Sequence, residues 1–197
     1  MAIIGPSETA LTQQSFKGVI MSFKMSLPVV VALAAMPMQS IAAQCSTGSS
    51  PVTVSGRVTT QNLSTTKQVG QICLTLVAPD GREVFDDCGA LLGKVTSMDP
   101  DTGTSTLDHT AVFEHRHSFH TVNDTAQITG VLAVDEAGVP CKMAVLEHIT
   151  NLKWGTGIFN KATLDVWANG SVSSCPGKNL NSFQLNGQAC IRNNHLR

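Results

Sequence analysis

The sequence contains no tyrosine and few aromatic residues of any kind, with two tryptophans and seven phenylalanines among 197 residues. A tyrosine acid, a tyrosyl radical and a tyrosine cage are therefore excluded. Charged residues make up only 14% of the chain, and its 13 basic residues are scattered among 14 acidic ones. Nucleic acids and anionic lipids are bound by clustered lysine and arginine. The charge pattern thus predicts no nucleic-acid partner.

The sequence also lacks the short motifs of several catalytic and metal-binding classes. It has no Gly-x-Ser-x-Gly nucleophile elbow and no Cys-x-x-Cys zinc knuckle. The segment Gly155-Thr156-Gly157 lacks the third glycine and the Lys-Ser/Thr pair of phosphate-binding loops. Its glycines favour a bulge or a tight corner, because only glycine accepts a positive φ freely. We expect no cofactor.

The clearest positive signal lies at the N-terminus. Lys24 precedes an uncharged, mostly apolar run over residues 27–38, and small residues follow it. This order is typical of a secretory signal peptide, and the run is too short and too rich in proline to span a bilayer as a helix. A leader read from the first residue is unusually long, so we expect translation to start at Met21. Residues 1–43 are predicted to be an extension and signal peptide. Residues 44–197 are then one exported domain, secreted or periplasmic and without a membrane anchor after cleavage.

Six cysteines follow this leader, and an even count in an exported chain indicates disulfides. One pair follows from a turn: the dipeptide Asp80-Gly81 is typical of a two-residue hairpin, and Cys73 and Cys88 are equidistant from it. As a hydrogen-bonded pair on facing strands, their Cα atoms would lie about 5.5 Å apart, which a disulfide tolerates. Cys175 and Cys190 are expected to pair because they are close in sequence. The remaining connectivity stays open.

The mature chain alternates with a period of two, as in Val52-Thr53-Val54 and Leu74-Thr75-Leu76. Turn signals recur every eight to twelve residues or so, which is typical of an antiparallel sandwich or barrel. Residues 142–149 are the only candidate helix, and their β-branched residues favour a strand. We predict an all-β, disulfide-stabilised single domain.

Glycine, turn and strand positions occur in a characteristic order between about residues 52 and 191, in the segments Gly70 to Leu76, Gly89 to Val95, Leu107 to Phe113, Phe119 to Ala126, Gly155 to Thr163 and Ala168 to Val172. This order resembles the secreted barrels of the allene oxide cyclase and dirigent type. The resemblance implies a closed antiparallel barrel of about eight strands around a largely apolar cavity. Better-known members guide the cyclisation or coupling of a bound small molecule. No catalytic residue of that family matches a position in this chain.

Alternation identifies one candidate acid or base. On residues 143–149, Glu147 shares a face with Met143 and Val145, and His148 lies on the other face. If the Glu147 face lines the cavity, its carboxyl is desolvated, and the raised pKa of such a group suits a general acid or base. If the other face is inside, His148 takes that place. With the Glu147 face inside, Met143 and Val145 are candidate ligand contacts.

Histidines supply the other candidates. His109 shares a strand face with Phe113, so we predict His109 as a second catalytic residue and Phe113 as a ligand contact. A His-x-His pair on a strand is half of a zinc or copper site. His115 and His117, however, lie between two strand-like segments, which favours a polar loop, and no metal site is predicted.

Three functions fit the sequence. The first is an exported barrel that binds a small apolar ligand in its cavity. The second is a cofactor-independent isomerase or cyclase that acts on such a ligand through Glu147 or His109. The third is a structural or host-interaction protein whose barrel is filled by side chains. An open apolar cavity without an ionisable group on its wall favours the first function, an open cavity with such a group admits the second, and a filled interior leaves the third.

Overall fold

Alternating inward and outward side chains form nine strands in the computed structural model, which describes residues 45–196. The predicted signal peptide in residues 1–43 and the start at Met21 lie outside the described residues. Three short 3₁₀ segments accompany the strands, at Glu114–Arg116, Gly157–Phe159 and Asn193–His195. The strands are β1 (Ser49–Asn62), β2 (Lys67–Val77), β3 (Glu83–Asp99), β4 (Thr104–Val112), β5 (Ser118–Val134), β6 (Pro140–Ile149), β7 (Leu152–Thr156), β8 (Thr163–Ser173) and β9 (Asn181–Arg192).

Eight of these strands form a closed antiparallel ring in the order β1-β2-β3-β4-β5-β6-β8-β9. The ring closes where β9 pairs with β1, with Leu185 opposite Gly56. The short strand β7 pairs with the start of β5. The predicted all-β barrel of eight strands is thus confirmed, and residues 142–149 lie in strand β6 as expected. Within residues 45–196, no helix has the length and apolarity needed to cross a membrane.

Four phenylalanines pack together inside the barrel: Phe85, Phe113, Phe119 and Phe159. Their ring centroids lie 5.1 to 6.0 Å apart, within the range that favours aromatic pairs. Phe159 comes from the 3₁₀ segment after β7 and is fully buried. We call these residues the phenylalanine cluster.

The predicted disulfide between Cys73 and Cys88 is present, and the two residues stand opposite each other on β2 and β3. The turn, however, differs from the prediction. Gly81 N–H donates to the Ala78 carbonyl and has a φ of +84°, which gives a three-residue loop with glycine in the left-handed position. A bulge at Leu76/Val77 then shifts the register by one residue and restores the cysteine pair. The Cα atoms are 3.9 Å apart, closer than the expected hydrogen-bonded pair.

The predicted disulfide between Cys175 and Cys190 is wrong. Cys190 bonds to Cys45, and Cys175 bonds to Cys141. Strands β8 and β9 are antiparallel, with Thr163 opposite Cys190, so Cys190 lies at the start of β8 while Cys175 lies beyond its end. Closeness in sequence therefore places these two cysteines at opposite ends of one hairpin.

Candidate functional site

The barrel encloses a cavity of about 400 Å³, within the range of small-molecule sites. Valine, leucine or isoleucine side chains from all eight ring strands line it, and Phe119 and Phe159 contribute from the phenylalanine cluster. The lining also includes Met98 and Ile128, which are 63% and 40% exposed. The cavity therefore reaches the surface at the end of the barrel where β3 ends. A filled interior is excluded.

Three of the sequence-predicted residues line this cavity on one strand, and one does not line it at all. Met143, Val145 and Glu147 on β6 all point inward, as alternation indicates. Phe113 is 5% exposed but stacks on Phe159 within the phenylalanine cluster and does not line the cavity. Phe113 is thus a core residue rather than a candidate ligand contact, because the rings of Phe119 and Phe159 occupy the cavity wall.

His148 lies on the outer face of β6, so the alternative that placed it inside is excluded. Its ring stacks on Trp167 of β8 with centroids 3.9 Å apart, and its Nε2 lies 2.8 Å from Asp165 Oδ1. His148 stands opposite Trp167 in the strand register and forms part of the barrel exterior. The inward ionisable group on β6 is Glu147.

Two polar side chains on neighbouring strands lie close to Glu147, one on the cavity wall and one behind it. His109 of β4 lies between them: its Nδ1 is 2.9 Å from Asp124 Oδ2 on β5 and 3.5 Å from Glu147 Oε1 on β6. Thr121 donates a hydrogen bond from its hydroxyl to the same Asp124 oxygen. We call His109, Asp124 and Glu147 the interior cluster. It combines both catalytic residues predicted from the sequence with an aspartate that was not predicted.

A bulge in β5 brings Asp124 into the interior. Leu107 pairs with Asp124 and His109 pairs with Thr121, so β5 has one residue more than β4 over this interval. Asn123 adopts a φ of +57°, and its N–H donates to Asp108 Oδ1 on the outer face. Thr121 and Asp124 are consequently both fully buried although they are three residues apart. Strict alternation from Thr121 turns Asp124 outward, which is why the aspartate was missed. Thr121 and Ala126 both point inward, which strict alternation does not allow because they are an odd number of positions apart. The available signal for a bulge was this conflict, together with an asparagine between them, which tolerates positive φ.

Burial and mutual charge shift the protonation of the interior cluster. Burial raises the pKa of the Glu147 carboxyl, the positive charge of His109 opposes this shift, and the charge of Asp124 adds to it. For His109, burial lowers the pKa, but the charge of Glu147 and the hydrogen bond and charge of Asp124 outweigh it. The pKa of His109 therefore lies above its ordinary value. The protonation states of His109 and Glu147 are therefore coupled through their mutual charge.

Two carboxylate oxygens of the interior cluster have no hydrogen-bond partner within residues 45–196. They are Asp124 Oδ1 and Glu147 Oε1, on side chains that are buried in the barrel. An unpartnered buried acceptor has a desolvation cost of about 1–3 kcal/mol. These two oxygens are therefore able to accept a donor or a cation.

The other histidines are in structural positions. His115 lies in the 3₁₀ segment between β4 and β5, in line with the predicted polar loop. His117 Nδ1 accepts a hydrogen bond from Ile158 N–H, and its ring packs edge-on against Phe85. Within the described part of the chain, the only His, Cys, Asp and Glu group close enough to share an ion is the interior cluster.

Comparison with protein-family models, with curated proteins and with solved structures finds no match to this chain. The assignment of function therefore depends on the cavity and the interior cluster.

Proposed function

We propose that this protein binds a small, largely apolar molecule in the barrel cavity. The single observation that carries this proposal is a cavity of about 400 Å³ with aliphatic side chains from every strand of the ring on its wall. Burial of apolar ligand surface against such a wall is favourable. His109 and Glu147 are ionisable groups on the same wall, and they offer one polar contact to an otherwise apolar molecule.

The proposal also concerns the compartment in which binding occurs, which is extracellular or periplasmic. Three disulfides are compatible with an oxidising compartment, and the predicted leader in residues 1–43 agrees with export. The barrel and its cavity are also what the resemblance to the allene oxide cyclase and dirigent type implies. Membership of that family is part of the proposal.

Two fluorescent probes test the binding function: Nile red, which is neutral, and cis-parinaric acid, which has a fatty-acid chain. We expect saturable binding with micromolar affinity and a negative heat-capacity change, because apolar surface is buried. Val145→Trp fills the cavity and is expected to weaken binding at least about tenfold, equivalent to 1.4 kcal/mol. Ala144→Trp adds the same ring to the outer face of the same strand and serves as the control. Equal affinity in the two variants contradicts the proposal, as does the failure of both probes to bind the folded protein.

A second candidate function is an isomerase or cyclase in which His109 and Glu147 transfer a proton on the bound molecule. The observation that favours it is the position of both side chains on the cavity wall, 3.5 Å from each other. A β,γ-unsaturated ketone in D₂O provides the test, since removal of an α proton gives a dienolate that takes up deuterium at the α carbon to return the substrate or at the γ carbon to give the conjugated ketone. Glu147→Gln should abolish incorporation while Nile red binding persists. A chelator is present throughout, so that only the side chains are tested. Absence of deuterium incorporation into this ketone by the parent protein argues against this second function and leaves ligand binding intact.

A further inference from the structure

We propose that the interior cluster of His109, Asp124 and Glu147 binds one divalent transition-metal ion of the zinc and manganese class. This proposal goes beyond ligand binding and does not depend on it. It concerns the wall of the cavity, whereas the proposed ligand occupies the space inside.

The distances between the three side chains suit a shared ion. Zinc lies about 2.0–2.2 Å from nitrogen and oxygen ligands, so ligand atoms around one ion are about 3.0–3.5 Å apart. His109 Nδ1 lies 2.9 Å from Asp124 Oδ2 and 3.5 Å from Glu147 Oε1. The three ligand atoms all lie within 4.8 Å of one another. Little side-chain movement is needed to enclose an ion.

The charges of the interior cluster also suit a divalent ion. Metal binding displaces protons from its ligands, and the two carboxylates and neutral imidazole that result have a total charge of −2, which one divalent cation neutralises. No lysine or arginine lines the cavity in the described residues, and unpaired buried charge is costly. One imidazole with two carboxylates is a donor set that suits zinc and manganese.

The lack of hydrogen-bond partners for two buried oxygens is a second observation that suits a cation. Glu147 is 6% exposed, and its Oε1 is directed toward His109 Nδ1 yet accepts no hydrogen bond. Asp124 is fully buried, and its Oδ1 has no partner within residues 45–196. Thr121 holds the other oxygen of Asp124 in place, as outer-sphere groups do for metal ligands. Asp124 Oδ1 and Glu147 Oε1 are thus both available to an ion.

An ion reaches the interior cluster through the cavity, because His109 and Glu147 are both on its wall. Asp124 lies behind them on β5. An ion held by three protein ligands keeps further coordination positions open. Those positions face the cavity, where a polar atom of a bound molecule takes one of them.

Metal titration of the disulfide-bonded protein tests this proposal. The protein is treated with EDTA, transferred to chelator-free buffer, and titrated separately with ZnCl₂ and MnCl₂. We expect one ion per chain by elemental analysis and a rise in melting temperature with ion concentration. Glu147→Gln should weaken binding of the ion by at least about tenfold, because loss of even an outer-sphere partner has that effect.

The exterior pair of His148 and Asp165 provides the matched control, since it also joins a histidine to a carboxylate at 2.8 Å. His148→Gln should leave ion binding unchanged. His109→Gln is a second cluster variant, and far-UV circular dichroism shows whether each variant folds. Failure of both ions to bind, or equal binding by the parent and both cluster variants, overturns the proposal. Nile red binding to the metal-free protein is measured in parallel, so the ligand and metal proposals fail separately.

Discussion

His109 and Asp124 are 15 residues apart in the chain, yet His109 Nδ1 lies 2.9 Å from Asp124 Oδ2. Adjacent strands alone do not bring them together, because regular alternation after Thr121 turns Asp124 to the outer face. The extra residue of the β5 bulge, with Asn123 at a φ of +57°, reverses that direction. The interior cluster therefore depends on the conformation of one exposed asparagine.

Substitution of Asn123 tests this dependence. A left-handed conformation costs a β-branched residue about 1–2 kcal/mol, so Asn123→Val should lower the free energy of unfolding by about that amount. Asn123→Gly accepts the same φ and should be nearly neutral. Urea denaturation measures both variants. Equal destabilisation by valine and glycine shows that the side chain of Asn123, rather than its backbone conformation, supports the bulge.

Loss of the Thr121 hydroxyl should destabilise the protein more than loss of a similar exposed bond. Thr121→Val removes a donor to the carboxylate of fully buried Asp124, and a hydrogen bond to a charged group contributes about 1.5–3 kcal/mol. Thr75→Val is the matched control, because Thr75 donates to Asp86 at 2.8 Å on the outside of the barrel. It should change stability by less than about 0.5 kcal/mol. Comparable losses in the two variants contradict the buried network described for Asp124.

The three disulfides should differ in their contribution to stability according to loop length. The chain-entropy model gives about 3 kcal/mol for the Cys73–Cys88 loop and about 5 kcal/mol for the Cys45–Cys190 loop, whose sequence separations are 15 and 145. Double alanine variants of each pair, followed by guanidinium denaturation, measure this order. Peptide mapping of the parent protein checks the pairings. A reversed order indicates that the unfolded chain retains structure around the short hairpin.

Gly157 should not tolerate alanine. Its φ is +57°, and a Cβ atom at this position overlaps Nδ1 of His117, which holds Ile158. Gly157→Ala is expected to lower the free energy of unfolding by more than about 1 kcal/mol. Gly130→Ala is the control, because open space surrounds that position on β5. A thermal melt distinguishes them, and a neutral Gly157→Ala shows that the 3₁₀ segment adjusts without cost.

Period-two alternation predicted an all-β domain and placed Met143, Val145 and Glu147 on one face of β6, because a strand has only two faces. It did not decide which of the two faces lies inside, and the closed barrel was implied by the resemblance rather than by the alternation. Features that interrupt the period were not predictable in this way. The bulge beside Asn123 brought Asp124 inside, and the bulge at Leu76/Val77 corrected the register of Cys73 and Cys88 after a turn of unexpected length. In each case the prediction assumed an uninterrupted register, whereas the chain has one extra residue at a bulge.

Long-range contacts explain the other errors. Cys190 pairs with Cys45 because β9 returns to β1, and this pairing depends on ring closure rather than on any local pattern. Phe113 has the expected inward direction, yet its neighbours Phe119 and Phe159 separate it from the cavity. Alternation assigns a side chain to the interior, and only packing decides whether it contacts a ligand or another side chain.

The pairing of β1 with β9 also sets the order in which this protein becomes folded. Ser49 pairs with Arg192, so the ring stays open until nearly all of the described chain has been synthesised. Contacts of such long range slow folding, and an open strand edge pairs readily with other molecules. While the chain is being synthesised, the apolar cavity wall and the edge of β1 are therefore exposed together. A chain truncated before β9 is expected to aggregate, and a factor that shields the edge of β1 should increase the yield of folded protein.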